Sequence, residues 1–263
     1  MTLDLVELTE KVRALAIQTG RFIREERNGF HRERVEKKHA HDYVSYVDRE
    51  SERRIVTCLR KLLPEAGFIA EEGSAAFSDE PYCWVVDPLD GTTNFIHDNA
   101  PYCVSIALRD RSEILLGVVY EICRDECFWT YRGAPSYRNG EEIHVSEVEK
   151  ADDAFLALGL PYDAEAYRLV FNRLIDGVYG HVAGTRVVGA AAAEMCYVAC
   201  GRLDARVEAF LGPWDVAAGI LILRNAGGKV TDFDGGDDYE SGRQIVASNG
   251  KIHGFLLKIL KVE

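Results

Sequence analysis

The chain has 263 residues, 47% of them hydrophobic and 28% charged, which is enough to bury a large core, and no Pro/Gly/Ser-rich linker divides it. Its 31 Lys and Arg stand against 43 Asp and Glu, a net charge of −12 that argues against a nucleic-acid groove or an anionic membrane surface. The same charge repels a phosphate ester, so phosphate chemistry here requires bound cations.

Met1 to Asp4 lacks a basic region followed by an apolar stretch, and no run approaches the ~20 apolar residues of a membrane helix, so a soluble cytoplasmic protein is expected. The seven cysteines are an odd count and point to reduced thiols. Cys123/Cys127 and Cys196/Cys200 have a spacing conceivable for zinc. The first pair lies in strand-like sequence and the second in an Ala-rich helix, which favours buried small hydrophobes.

Leu5, Leu8, Val12, Leu15, Thr19 and Phe22 recur at helical spacing, predicting a long amphipathic helix over residues 3–27 that ends at Asn28-Gly29. Phe30 to His41, rich in charge and histidine (His31, His39, His41), reads as an exposed loop. Asp42 to Asp48 precedes a helix with Ile55, Leu59 and Leu62 on one face and Pro64 at its end, and Asp48 is available as its N-cap. Phe68 to Gly73 is a short strand ending in Glu71 and Glu72.

The stretch Trp84 to Phe95 organises the rest. It begins as a buried-type strand, breaks at Pro88 and continues through Gly91, Thr92 and Thr93 into a helix start. Asp87, Asp90 and the Leu89 carbonyl offer three hard oxygen donors within four residues, a set that suits Mg²⁺. Gly91-Thr92-Thr93 adds backbone N–H groups where phosphate is favoured by free donors and by the dipole. A bare D-x-x-D-G would be an ordinary turn with two solvated aspartates.

Cys103 to Arg109, Ile114 to Glu121 and Glu126 to Arg132 predict an antiparallel meander, with a further hairpin at Asn139-Gly140 into Ile143 to Val145. The second half reads as a strand (Ala154 to Leu160), a helix (Ala166 to Ile175), a strand turning at Gly189 into an Ala-rich helix that ends at Gly201, and a strand (Leu203 to Phe210) carrying Glu208. Asp215 is a natural N-cap for the apolar helix to Asn225. Asp234 to Glu240 reads as a solvated loop, while Ile245 to Ser248 and a helix from Ile252 close the core.

Asp87-Pro88-Leu89-Asp90-Gly91-Thr92-Thr93-Asn94-Phe95 resembles the D-P-(L/I)-D-G-T-x-N-F signature of the inositol monophosphatase family, of the lithium-sensitive, Mg²⁺-dependent phosphatase superfamily that includes fructose-1,6-bisphosphatase. Trp214 to Gly219 resembles its W-D-x-A-(A/G)-G signature, and Asp42 to Asp48, Ala70-Glu71-Glu72 and Gly227 to Asp232 resemble further elements. Two departures stand out: Ala70 replaces a glycine, and Ala190 replaces the hydroxyl residue of the family's G-(S/T)-A-A turn.

The resemblance implies an α+β fold, the five-layer αβαβα sandwich, as one unit over 1–263 with a metal-site half of about 1–150 and a smaller substrate-side half of about 151–263. It implies two to three Mg²⁺ ions, one held by Glu71, Asp87 and the Leu89 carbonyl, a second by Asp87, Asp90 and Asp215, and a third, weaker one near Glu71. Glu71 and Thr92 would activate water, with Asp48 bonded to Thr92. Asp90, Gly91, Thr92, Thr93, Gly189, Ala190, Ala191, Glu208 and Asp215 would contact substrate, Arg186 could serve a second phosphate, and Lys37 matches a loop lysine near the metals.

The implied activity is hydrolysis of a small polyol or sugar phosphate, first myo-inositol 1-phosphate, by metal-activated water, with lithium inhibition and a homodimer expected. Fructose 1,6-bisphosphate, histidinol phosphate and 3′-phosphoadenosine 5′-phosphate are alternative substrates, and a regulatory partner-binding protein is the non-enzymatic alternative. The four acids at Glu71, Asp87, Asp90 and Asp215 argue against loss of catalysis. A structural Ca²⁺ module is disfavoured because the carboxylates are scattered and no EF-hand loop appears.

Overall fold

The computed structural model describes residues 3–30, 35–39, 42–73, 80–161, 163–241 and 243–261. In chain order the first half contains α1 (Leu5–Asn28), β1 (Glu36–His39), β2 (Asp42–Val44), α2 (Tyr46–Leu62), β3 (Ala66–Ala70), β4 (Tyr82–Asp90), α3 (Thr92–His97), β5 (Cys103–Asp110), β6 (Ile114–Glu121), β7 (Glu126–Tyr131), β8 (Tyr137–Arg138) and β9 (Glu141–Glu142). The second contains β10 (Phe155–Leu158), α4 (Ala164–Val178), β11 (Gly184–Arg186), α5 (Ala191–Ala199), β12 (Ala205–Ala209), α6 (Pro213–Asn225), β13 (Lys229–Thr231), β14 (Gln244–Ser248) and α7 (His253–Leu260).

Strands β3 to β9 lie in sequence order in a seven-stranded sheet whose first pair is parallel and the rest antiparallel. A five-stranded mixed sheet runs β11-β10-β12-β14-β13. Alternation along β4 serves two cores at once. Trp84 and Val86 point to the layer of α1 and α2, against Val12, Ile23, Ile55 and Leu59, while Cys83 and Val85 point to the layer of α5 and α6. A third core packs Leu156, Val207 and Val246 against Leu174 of α4 and Leu256 of α7. The layer order is therefore αβαβα, as expected. Lying between two sheets, α5 is buried on every side, which explains its Ala-rich, wholly uncharged faces apart from Glu194.

Several local expectations are corrected. Ser45, not Asp48, caps α2: its Oγ accepts from Val47 N–H at 3.1 Å, while Asp48, at the third helical position, accepts from Ser45 N–H at 2.9 Å. Asp215 stands likewise at the third position of α6, behind Gly212. Strand β4 continues through Pro88 to Asp90, with its register shifting between Asp87 and Asp90. Its partner β3 ends opposite Val86, so the proline's missing N–H falls where that side of β4 is open.

The stretch read as an exposed loop contains a two-stranded hairpin of β1 and β2, in which the backbone of Lys37 faces that of Tyr43; His31 and His41 lie outside the described residues. The hairpin at Asn139-Gly140 forms, but its second strand is Glu141–Glu142 and ends before Ile143. Cys83, Cys103, Cys127 and Cys196 are buried as small hydrophobes, whereas Cys123 is exposed. Among the described residues no helix is long and apolar enough to cross a membrane.

Candidate active site

The register shift in β4 turns Asp87 and Asp90 toward one cavity at the strand's end. Asp87, 1% exposed, accepts the Leu89 N–H at 2.9 Å. Asp90 accepts from the Ala191 and Ala192 N–H groups at 3.0 and 2.8 Å, which ties it to the first turn of α5, and the Cys103 Sγ lies 3.3 Å from its Oδ2. The Leu89 side chain is buried in the outer core. Gly91 has φ +88, and a Cβ there would stand 3.0 Å from the Pro101 carbonyl and 3.1 Å from Ala190 Cβ, so only glycine fits the entry to α3.

Thr92 Oγ1 lies 2.9 Å from Asp48 Oδ1 and 3.0 Å from the Leu89 carbonyl. A hydroxyl has one proton, which it gives to one of these acceptors, leaving its lone pairs to accept from a water in the cavity. Glu71 follows β3, and its N–H donates to the Val86 carbonyl at 3.2 Å. Asp215 accepts from Gly212 N–H at 2.6 Å.

Burial, followed by the charges of Glu71, Asp90 and Asp215, pushes the Asp87 carboxyl well above the usual carboxylate range. Burial and the charges of Glu71 and Asp90 do the same to Asp215, against the Gly212 N–H and Arg206, which favour its charged form. Asp90 is raised by burial, with Cys103, the α5 N–H groups and Arg206 opposing. Asp48 is raised by burial against its bonds to Ser45 and Thr92.

Glu71, Asp87, Leu89, Asp90, Gly91, Thr92, Thr93, Gly189, Ala191, Glu208 and Asp215 all line one cavity of about 560 Å³. The acids share it without closing into a ligand shell: among the described residues no three His, Cys, Asp or Glu side chains cluster at metal-ligand spacing. Donor chemistry nonetheless fits a hard divalent cation, since the groups are oxygen donors, mutually repelling, with a single fully buried cationic side chain, Arg206, near them among the described residues.

Ala190 is absent from the cavity wall; it is buried before α5. Asp48 reaches the cavity only through Thr92. Arg186 is exposed, with its guanidinium 4.8 Å from the Phe155 ring, and takes no part in the wall, whereas Arg243 does. Sequence reasoning also passed over Asn94, whose amide donates to the Pro101 and Val188 carbonyls at 2.8 and 2.9 Å, and the buried Glu194–Arg206 pair. Asn94 lies inside the central motif and could have been found there.

The sequence model of the inositol monophosphatase family matches residues 4–262. The chain belongs to the inositol monophosphatase family. An inositol-1-monophosphatase of Mesorhizobium japonicum is 40% identical over 221 residues, covering 84% of this chain and 83% of that protein. Nus factor SuhB of Escherichia coli strain K12 is 38% identical over 227 residues, covering 86% and 85%. Among solved structures, the extragenic suppressor protein suhB of Bartonella henselae superposes with a TM-score of 0.92 at 36% identity, covering 97% of this chain and 98% of that one. The inositol monophosphatase of Anabaena gives 0.87 at 30%, covering 98% and 96%. Family membership thus implies a metal-dependent phosphatase.

Proposed function

We propose that the protein is a Mg²⁺-dependent phosphomonoesterase acting on a small polyol or sugar phosphate, with myo-inositol 1-phosphate as its first candidate substrate. The observation that carries this reading is the convergence of Glu71, Asp87, Asp90 and Asp215 on one cavity beside Thr92 and Thr93. Glu71, Asp87, Asp215, Asp90 and the Leu89 carbonyl would hold the metal. When bound, Mg²⁺ supplies Lewis acidity, lowers the pKa of water and offsets phosphate charge.

The chain's own groups do the rest. The first N–H groups of α3 have no intrahelical partners, and those of Thr92 and Thr93 are suited to phosphoryl oxygens. Thr92, oriented by Asp48, accepts a hydrogen bond from the attacking water, while Glu71 takes the water's other proton as its base. Glu208, on the opposite wall, accepts from a substrate hydroxyl. Fructose 1,6-bisphosphate is the runner-up substrate, with Arg243 in the wall available to a second phosphate. The likeness to a protein named Nus factor supports a second reading, a partner-binding role beside or in place of catalysis.

Phosphate release by the purified protein, with and without Mg²⁺, on myo-inositol 1-phosphate, fructose 1,6-bisphosphate, histidinol phosphate and 3′-phosphoadenosine 5′-phosphate tests the proposal. Mg²⁺-dependent turnover of the inositol ester above the others supports it. No turnover of any of the four would favour the partner-binding reading.

A further inference from the structure

Arg206 is the only lysine or arginine among the described residues that is fully buried, and the catalytic reading gives it no task. It sits on β12, where Ala205, Val207 and Ala209 join the core beneath α4 and α7, so positions 206 and 208 take the opposite face, toward α5 and the cavity. Two hydrogen bonds and one ion pair hold the guanidinium: Nη1 donates to the Ala191 carbonyl at 3.2 Å, Nη2 donates to Glu208 Oε2, and Nε pairs with Glu194 Oε2 at 3.2 Å by charge, without hydrogen-bond geometry. Glu194 in turn accepts Gly189 N–H at 3.0 Å through its other oxygen. One side chain therefore ties Glu208 to the turn and first residues of α5, whose N–H groups hold Asp90.

Glu208 differs from the four acids of the metal side in having a guanidinium bonded directly to it. Its side chain is 20% exposed and lies against Gly159, where a Cβ would fall 2.0 Å from the carboxyl carbon. No larger residue at 159 would leave that carboxylate in place. Arg206 takes Oε2, and Oε1 keeps its capacity to accept from a ligand. A charged acceptor held in one orientation favours a ligand that donates to it, and a site built this way penalises an analogue without the donor.

We propose that Arg206 is a positioning and specificity-determining residue: by clamping Glu208 against the cavity wall and fastening it to the start of α5, it makes the site select phosphate esters that carry a hydroxyl able to donate to Glu208. The inference rests on the phosphatase reading and deepens it by naming what holds Glu208 in place.

The test compares wild type, Arg206→Lys, Arg206→Met, Glu208→Gln and the Arg206→Met/Glu208→Gln double variant, with Mg²⁺, on myo-inositol 1-phosphate and on phenyl phosphate, which lacks a hydroxyl. Arg206→Met should lower the ratio of the two kcat/KM values about tenfold or more, chiefly through a higher KM for the inositol ester. Arg206→Lys should recover part of the ratio, and Arg206→Met should lower it no further once Glu208 is Gln. Equal losses on both esters, with the ratio unchanged in the Met and Lys variants, are what general loosening would give and would overturn the proposal. If Arg206→Met does not fold, Arg206→Lys decides by the same ratio. Should wild type hydrolyse neither ester, the choice of myo-inositol 1-phosphate as substrate fails on its own. Calorimetric affinity of the Mg²⁺-treated protein for myo-inositol 1-phosphate then decides: about tenfold weaker binding by the variant supports the clamp, and unchanged or absent binding overturns it.

Discussion

The two sides of the cavity hold their carboxylates under opposite conditions. On the metal side, Asp87 and Asp215 face Glu71 and Asp90, and repulsion adds to burial in disfavouring their charged forms. On the far side Glu208 shares the Arg206 guanidinium with Glu194 behind it, and although burial still raises the Glu194 carboxyl, the Arg206 charge opposes that shift from within the chain. Acids left to repel one another are suited to an external cation, whereas a carboxylate already paired is suited to accept a hydrogen bond from a ligand. The same residue type thus serves metal binding on one wall and ligand recognition on the other.

The largest expected effect breaks the first half of that comparison. Asp87→Asn should lower turnover about a thousandfold or more, since even partners outside a ligand shell are worth about 10–100-fold. Circular dichroism should stay unchanged, and full activity in the variant would defeat the assignment.

Next comes a contrast in pH dependence. Asp87 and Asp215 bind protons more tightly folded than unfolded, so without Mg²⁺ they stabilise below the unfolded carboxylate pKa, and this is lost as pH rises through their raised folded values. His253 has the opposite sign. Burial, then the Lys229 charge, pushes it down to about 4, and its ring nitrogens lie 2.9 and 2.8 Å from the Thr231 and Ser248 hydroxyls. The unfolded chain binds the extra proton, so stability falls by about 3 kcal/mol as pH drops from about 6.5 to about 4. Urea unfolding of wild type and His253→Gln should show the flatter acid limb in the variant, whether or not Mg²⁺ is present.

Thr92→Ala should lower kcat about a hundredfold by removing the hydroxyl between Asp48 and the Leu89 carbonyl, with Thr92→Ser restoring most of it in steady-state assays. The smallest effect is thermal. Mg²⁺ at about ten times its Kd should add about 1.4 kcal/mol and raise Tm by about 3–6 °C. Asp215→Asn should blunt that shift in a calorimetric scan.

The metal side was legible because its residues fall in three short contiguous runs, Glu71-Glu72, Asp87 to Thr93 and Trp214-Asp215, at the ends of elements whose periodicity is plain. On the far wall Glu208, Gly189 and Ala191 were named through the family resemblance, whereas the two arginines carry no local signature: Arg206 meets Glu194 across a helix-to-strand packing, and Arg243 enters from the residue before β14. Asp48 and Asp215 also offered themselves as N-caps because an aspartate serves at either the N-cap or the third helical position; which applies depends on where the helix begins. Pro88 misled because a proline ends a strand only where its N–H is needed, and sequence does not say where β3 stops.

The central claim is that the repelling acids form a metal site, and titration of Mg²⁺ into the apo protein by calorimetry tests it most directly. The account predicts saturable binding of more than one ion, accompanied by proton release because raised carboxyls must ionise, and weakened in Asp87→Asn. Absence of saturable binding, or binding unchanged in Asp87→Asn, would contradict it.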